Sequence, residues 1–64
     1  MPVIRVELFD GRSVEQKRAL AEALTRETAR IAKCDPGSVH VVFQDVRKED
    51  WAVGGQLSSD KYPD

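Results

Sequence analysis

A single cysteine, Cys34, cannot close a disulfide within the chain and suits a reducing compartment, which points to the cytoplasm. With one cysteine and one histidine, the sequence has no metal-ligand spacing. It also has no glycine-rich phosphate loop and no Ser/His/Asp order, so no metal or cofactor is expected. Charge is nearly balanced, at −1 for the whole chain, which leaves no basic surplus for nucleic acid and no acidic tail for a charged partner. Every apolar run is far shorter than the roughly 20 residues that span a bilayer. Arg5 and Glu7 interrupt the N-terminal apolar stretch, which argues against a signal peptide. Repeats, linkers and low-complexity segments are absent.

At 64 residues the chain is one domain, residues 1–64. So short a chain buries too little surface for comfortable stability alone, and it has neither disulfides nor a metal to staple it. Oligomerisation is the remaining solution, and a homo-oligomer is expected.

Residues 2–9 alternate: Ile4, Val6 and Leu8 share one face, and Val3, Arg5, Glu7 and Phe9 the other. That is a strand with one buried face. Asp10-Gly11-Arg12 forms a turn, and Ser13 with Gln16 three residues on matches a capping box. A helix is predicted from about Val14 to Lys33, with Leu20, Ala23, Leu24, Thr28 and Ile31 on one stripe. Arg18–Glu22 and Glu22–Arg26 are spaced for ion pairs on its wet side. Pro36 and Gly37 end it. Residues 39–46 read as a second, β-branched strand with apolar residues on both faces, which predicts burial on both sides. The tail from Arg47 to Asp64 reads as irregular, with Trp51-Ala52-Val53-Gly54-Gly55 as a short hairpin or bent loop. A helix of about 20 residues spans about 30 Å and an eight-residue strand about 27 Å, so the helix can return the chain along the strand. The fold class is α/β, a β-α-β subunit with a parallel strand pair. Both sheet edges stay open, and a second copy would complete a four-stranded sheet.

Pro2 directly follows Met1. If the methionine is removed, Pro2 begins the chain as a secondary amine. N-terminal amines titrate near 8, and desolvation or a nearby cation lowers that value. A neutral amine near physiological pH is what a general base needs. The structural alternative is that Pro2 only starts an edge strand, where proline is tolerated. Arg12 stands just before the helix N-cap, where a cation opposes the helix dipole unless an anion binds there; otherwise it is a solvated turn residue. Arginine's fork suits a carboxylate. Trp51 lies beside glycines that allow close approach, so it either walls a pocket or caps the small core of its own chain. His40 on the second strand is a candidate cation, acid or hydrogen-bond donor, though such a residue is more often structural. Cys34 reads as a small apolar residue at a helix end.

Taken in order, Met1-Pro2, Gly11-Arg12-Ser13 followed by Glu15-Gln16-Lys17, and Gly54-Gly55 after an aromatic resemble the 4-oxalocrotonate tautomerase (2-hydroxymuconate tautomerase) family over nearly the whole chain. The resemblance implies dimers with four-stranded sheets, assembled as a homohexameric trimer of dimers. It implies a cofactor-independent isomerase, of the kind found in aromatic hydrocarbon catabolism. In it, Pro2 moves a proton between oxygen and carbon positions of a 2-hydroxy-dienoate and its 2-oxo isomer. Arg12 matches the arginine that binds a substrate carboxylate. Trp51 stands where an aromatic pocket wall is expected, and Phe9 and Val53 where apolar pocket residues are. His40 departs from the pattern, since the best-known members carry a second arginine there. A histidine is shorter and carries only partial positive charge near neutrality. Losing a fixed cation aimed at developing charge costs about 10²–10³ in rate. Smaller 2-oxo acids or phenylpyruvate-like enols therefore suit this chain better than the usual dicarboxylate. Two alternatives stand beside this reading: hydration or dehalogenation of a small unsaturated acid, and a non-catalytic oligomeric binding module. The first needs a carboxylate to activate water, and Val53 is apolar.

Overall fold

The computed structural model describes residues 1–63. Strands β1 (Val3–Phe9) and β2 (His40–Val46) pair in parallel, joined by helix α1 (Val14–Ala32). The register runs from Val3 opposite His40 to Phe9 opposite Val46. One bond extends the ladder at each end: the His40 N–H donates to the Pro2 carbonyl (2.9 Å), and the Asp10 N–H to the Val46 carbonyl (3.1 Å).

The sequence dictates where α1 begins. Ser13 Oγ accepts from the Gln16 N–H (3.1 Å), and Gln16 Oε1 accepts from the Ser13 N–H (2.8 Å), a complete capping box. The helix ends at Ala32 with Lys33 as its cap, as predicted, but the cap itself closes it rather than Pro36 and Gly37. Lys33 turns left-handed (φ 57°, ψ 50°), and the Cys34 N–H reaches back to the Ala29 carbonyl (3.3 Å), the bond of a Schellman-type end. Pro36–Ser38 then forms its own 3₁₀ turn, with Asp35 Oδ1 accepting from the Gly37 N–H (3.0 Å). Neither ion pair involving Glu22 forms among the described residues; the helix carries Glu27–Arg30 (2.6 Å) instead.

The tail is ordered rather than irregular over residues 47–63, and Asp64 lies outside the described residues. A 3₁₀ turn at Lys48–Asp50 leads into strands β3 (Ala52–Val53) and β4 (Gln56–Leu57), an antiparallel hairpin, and then helix α2 (Ser58–Lys61). Gly54 and Gly55 form the two-residue turn with φ of 61° and 85°. Positive φ at both turn positions matches the twist of the strands and is open to glycine without strain.

One ion pair marks which face of the sheet α1 covers. Lys17 Nζ lies 2.8 Å from Asp45 Oδ2, and Asp45 shares its face with Leu8, Val6 and Ile4 through the register. Ile4, Val6, Leu8, Val41 and Phe43 are accordingly half-buried, as are Ala23, Leu24 and Thr28 of α1. The ends of the predicted stripe stay open, Leu20 partly and Ile31 at 68% exposure. α1 is about 28 Å long and β1 about 20 Å, so Ile31 overhangs the sheet. Burial of β2 on both sides is not met within one chain. Val42 is 43% exposed and Val3 54%, on the face that α1 does not cover.

Among the described residues no hydrophobic side chain is fully buried. The accessible surface is 4909 Å², whereas a compact monomer of this mass exposes about 4,100 Å². The radius of gyration is 14.8 Å, against about 11 Å for a compact chain of this length. The chain is a thin open layer whose sheet face opposite α1, with Val3 and Val42 beside Arg5, Glu7, His40 and Gln44, is covered among the described residues only where Trp51 meets Phe9. No helix among the described residues is long and apolar enough to cross a membrane.

Candidate active site

The C-terminal end of β1 meets the tail. Phe9 is half-buried on the face opposite α1, and Trp51 packs against it with ring centroids 4.9 Å apart and planes at 57°. That tilted geometry suits the ring quadrupoles. Trp51 is held from both sides: its N–H donates to the Lys48 carbonyl (3.3 Å), and its carbonyl accepts from the Ser58 N–H (2.7 Å). Arg47 Nε lies 3.2 Å from Asp50 Oδ2 and its guanidinium 3.6 Å from Glu49, which clasps the 3₁₀ turn under Trp51. The hydrogen bond to Asp50 and the charges of Glu49 and Asp50 raise the Arg47 pKa above its ordinary value, so Arg47 stays charged throughout.

Phe9, Trp51 and Val53 line one cleft of about 330 Å³, closed by Gln56, Ser58, Lys61 and Tyr62 from the hairpin and α2. Three of the predicted site residues therefore come together. The four that close the cleft were missed by sequence reasoning. The Gly54-Gly55 pair was the available signal, because a two-residue glycine turn returns the chain beside Val53.

Arg12 does not join them. It follows Gly11 (φ 107°) and lines a neighbouring groove with Leu8, Gln16, Lys17 and Leu20. Lys17 spends its charge on Asp45, while Arg12 makes no ion pair among the described residues. Pro2 and His40 stand together at the opposite end of the sheet. Pro2 is half-buried and its carbonyl accepts the His40 N–H, while Met1 before it is 80% exposed. Between Pro2 and the aromatic cleft lies the full length of β1, about 20 Å. One chain thus carries the parts of the expected site in two separate halves. Among the described residues, no group of three or more His, Cys, Asp or Glu is placed to hold a metal ion.

A family model described as tautomerase enzyme matches residues 2–61. The chain belongs to the tautomerase family. A probable tautomerase of Halalkalibacterium halodurans is 41% identical over 61 residues, covering 95% of this chain and all of the relative. One of the 4-oxalocrotonate tautomerase isozymes from Methylibium petroleiphilum superposes with a TM-score of 0.93 at 31% identity, covering 97% of each chain. A heterohexameric 4-oxalocrotonate tautomerase from Chloroflexus aurantiacus gives 0.88 at 33% identity, over 94% of this chain and 97% of that one. Tautomerase membership supports an isomerase-type enzyme, and the β-α-β subunit with its parallel strand pair is the fold of these relatives.

Proposed function

We propose that this tautomerase is a cofactor-independent keto-enol isomerase of 2-hydroxy-dienoates or related 2-oxo acids, with the Pro2 amine as general base and acid. Met1 removal frees that amine; its exposure leaves the bond before Pro2 open to an aminopeptidase. Pro2 takes the proton of the substrate 2-hydroxyl, the electron pair moves through the diene, and the same proton returns to a carbon. The product is the 2-oxo isomer, with no atom gained or lost. Arg12 holds a carboxylate, His40 polarises the 2-oxygen, and Phe9, Trp51 and Val53 give the carbon skeleton a dry wall.

The observation that carries this reading is the place of Pro2. The family match begins on it, and it stands half-buried at the start of β1 beside His40. The separation of Pro2 from Arg12 and Trp51 supports a site shared between chains of a homo-oligomer, assembled as a trimer of dimers. The single cysteine fits a cytoplasmic setting.

Pro2→Ala lowers kcat/KM for 2-hydroxymuconate and phenylenolpyruvate by about 10²–10⁴, the worth of a positioned base, with assembly unchanged by size-exclusion chromatography. Near-full activity of that variant sinks the mechanism. Haloacrylates assayed alongside report any hydratase or dehalogenase activity.

A further inference from the structure

The aromatic cleft contains a cation that neither the motif pattern nor the proposed reaction uses. Among the described residues Lys61 is the one charged residue that lines it; the others that line it are aromatic, aliphatic or neutral. The fold holds Lys61 there deliberately. α2 is fastened to the Trp51 turn by the Ser58 N–H on the Trp51 carbonyl (2.7 Å) and by Lys48 Nζ on the Tyr62 carbonyl (3.3 Å). Tyr62 closes α2 with its N–H on the Ser58 carbonyl (2.8 Å). Lys61 Nζ stands 5.6 Å from the Tyr62 ring centroid and Lys48 Nζ 6.0 Å from the same centroid, so two ammonium groups flank one ring at the cleft's edge. Among the described residues neither forms an ion pair, and Asp60, the neighbour of Lys61, does not line the cleft. An apolar cleft with a cation at its edge attracts an anion attached to an apolar skeleton.

The geometry points to Lys61 as a carboxylate-binding residue of the Phe9–Trp51 cleft that sets the preference for a dicarboxylate over a monocarboxylate substrate. One carboxylate engages the reacting end of the site, and Lys61 meets the second beyond the aromatic wall. His40 reduces fixed positive charge at one end of the site and Lys61 supplies it at the other, which reverses the expectation, drawn from His40 alone, that the chain suits monocarboxylates better. This inference rests on the proposal that the aromatic cleft holds the substrate's carbon skeleton.

Trp51 is the only tryptophan, so its fluorescence reports occupancy of the cleft without any turnover. Titration of the Met1-cleaved protein with adipate and with hexanoate compares two unreactive acids that differ in one carboxylate. Adipate binds roughly tenfold more tightly, the scale of one charge-assisted hydrogen bond, and the margin shrinks with added salt. Lys61→Gln removes the margin, Lys61→Arg keeps it, and Arg18→Gln, which removes the same charge from the helix surface, leaves it in place. In kinetics, Lys61→Gln raises KM for 2-hydroxymuconate relative to phenylenolpyruvate. Failure of wild type to prefer adipate, an unchanged preference in Lys61→Gln, or an equal loss in Arg18→Gln overturns the assignment. The base proposal fails separately: a fully active Pro2→Ala with the adipate preference intact removes the role of Pro2 and leaves that of Lys61.

Discussion

Pro2 is basic only while its nitrogen is an amine. In the bond to Met1 that nitrogen is an amide and cannot take a proton. The active form of a base is the neutral one, so kcat/KM rises with pH and levels off once the Pro2 amine has lost its proton. The proposed mechanism therefore predicts a rising limb governed by this amine. The limb is absent from protein that retains Met1, which a pH–rate profile on mass-verified samples reads directly. His40 offers a second handle. In the proposed site, replacing it by arginine supplies a fixed cation at the 2-oxygen. His40→Arg raises turnover of 2-hydroxymuconate by about tenfold or more, a fraction of what one well-aimed donor supplies, with a smaller gain on phenylenolpyruvate. The candidates visible in the sequence were those marked by their place along the chain: Pro2 by its position after Met1, Arg12 by the turn before a capping box, Trp51 by its glycines. Lys61 and Tyr62 carried no such mark. They reach the cleft only because α2 folds back on Trp51, and a four-residue helix has no periodicity to read.

The elements divide in the same way. β1, β2 and α1 were legible because alternation, capping and helical spacing are written in consecutive residues. The stop of α1 near Lys33 was legible but its cause was not: proline and glycine are the usual punctuation, whereas the chain turns on Lys33, a left-handed lysine. That conformation costs a residue with a Cβ about 1–2 kcal/mol. Lys33→Gly therefore stabilises the protein by about 1 kcal/mol, seen as a higher urea midpoint at unchanged slope. The hairpin β3–β4 was half legible. Its strands are two residues long, too short for alternation to register, and only Gly54-Gly55 betrayed the turn. The hairpin matters to the site because it carries Val53 and Gln56 to the cleft and hands the chain on to α2.

For the whole molecule, the decisive quantity is surface left uncovered. The excess over a compact monomer is about 800 Å², which equals what one partner contributes to a standard interface, about 800 Å². Val3 and Val42 lie on the open sheet face, so Val42→Asp places a charge where a neighbouring chain would pack. It shifts the sedimentation profile toward smaller species, and activity falls with the loss of assembly. The need for partners was legible in the chain's length, and the face left for them follows from α1 covering Ile4, Val6 and Leu8, which leaves Val3 and Val42 open. The distance along β1 between Pro2 and the Arg12 end has a genetic consequence. On the proposed mechanism, a chain lacking the proline and a chain lacking the arginine are each inactive alone, yet each retains the half that the other has lost. Co-expressed and co-assembled, the two form some sites with both halves intact, so defects at these positions complement one another whereas two defects at the same end do not.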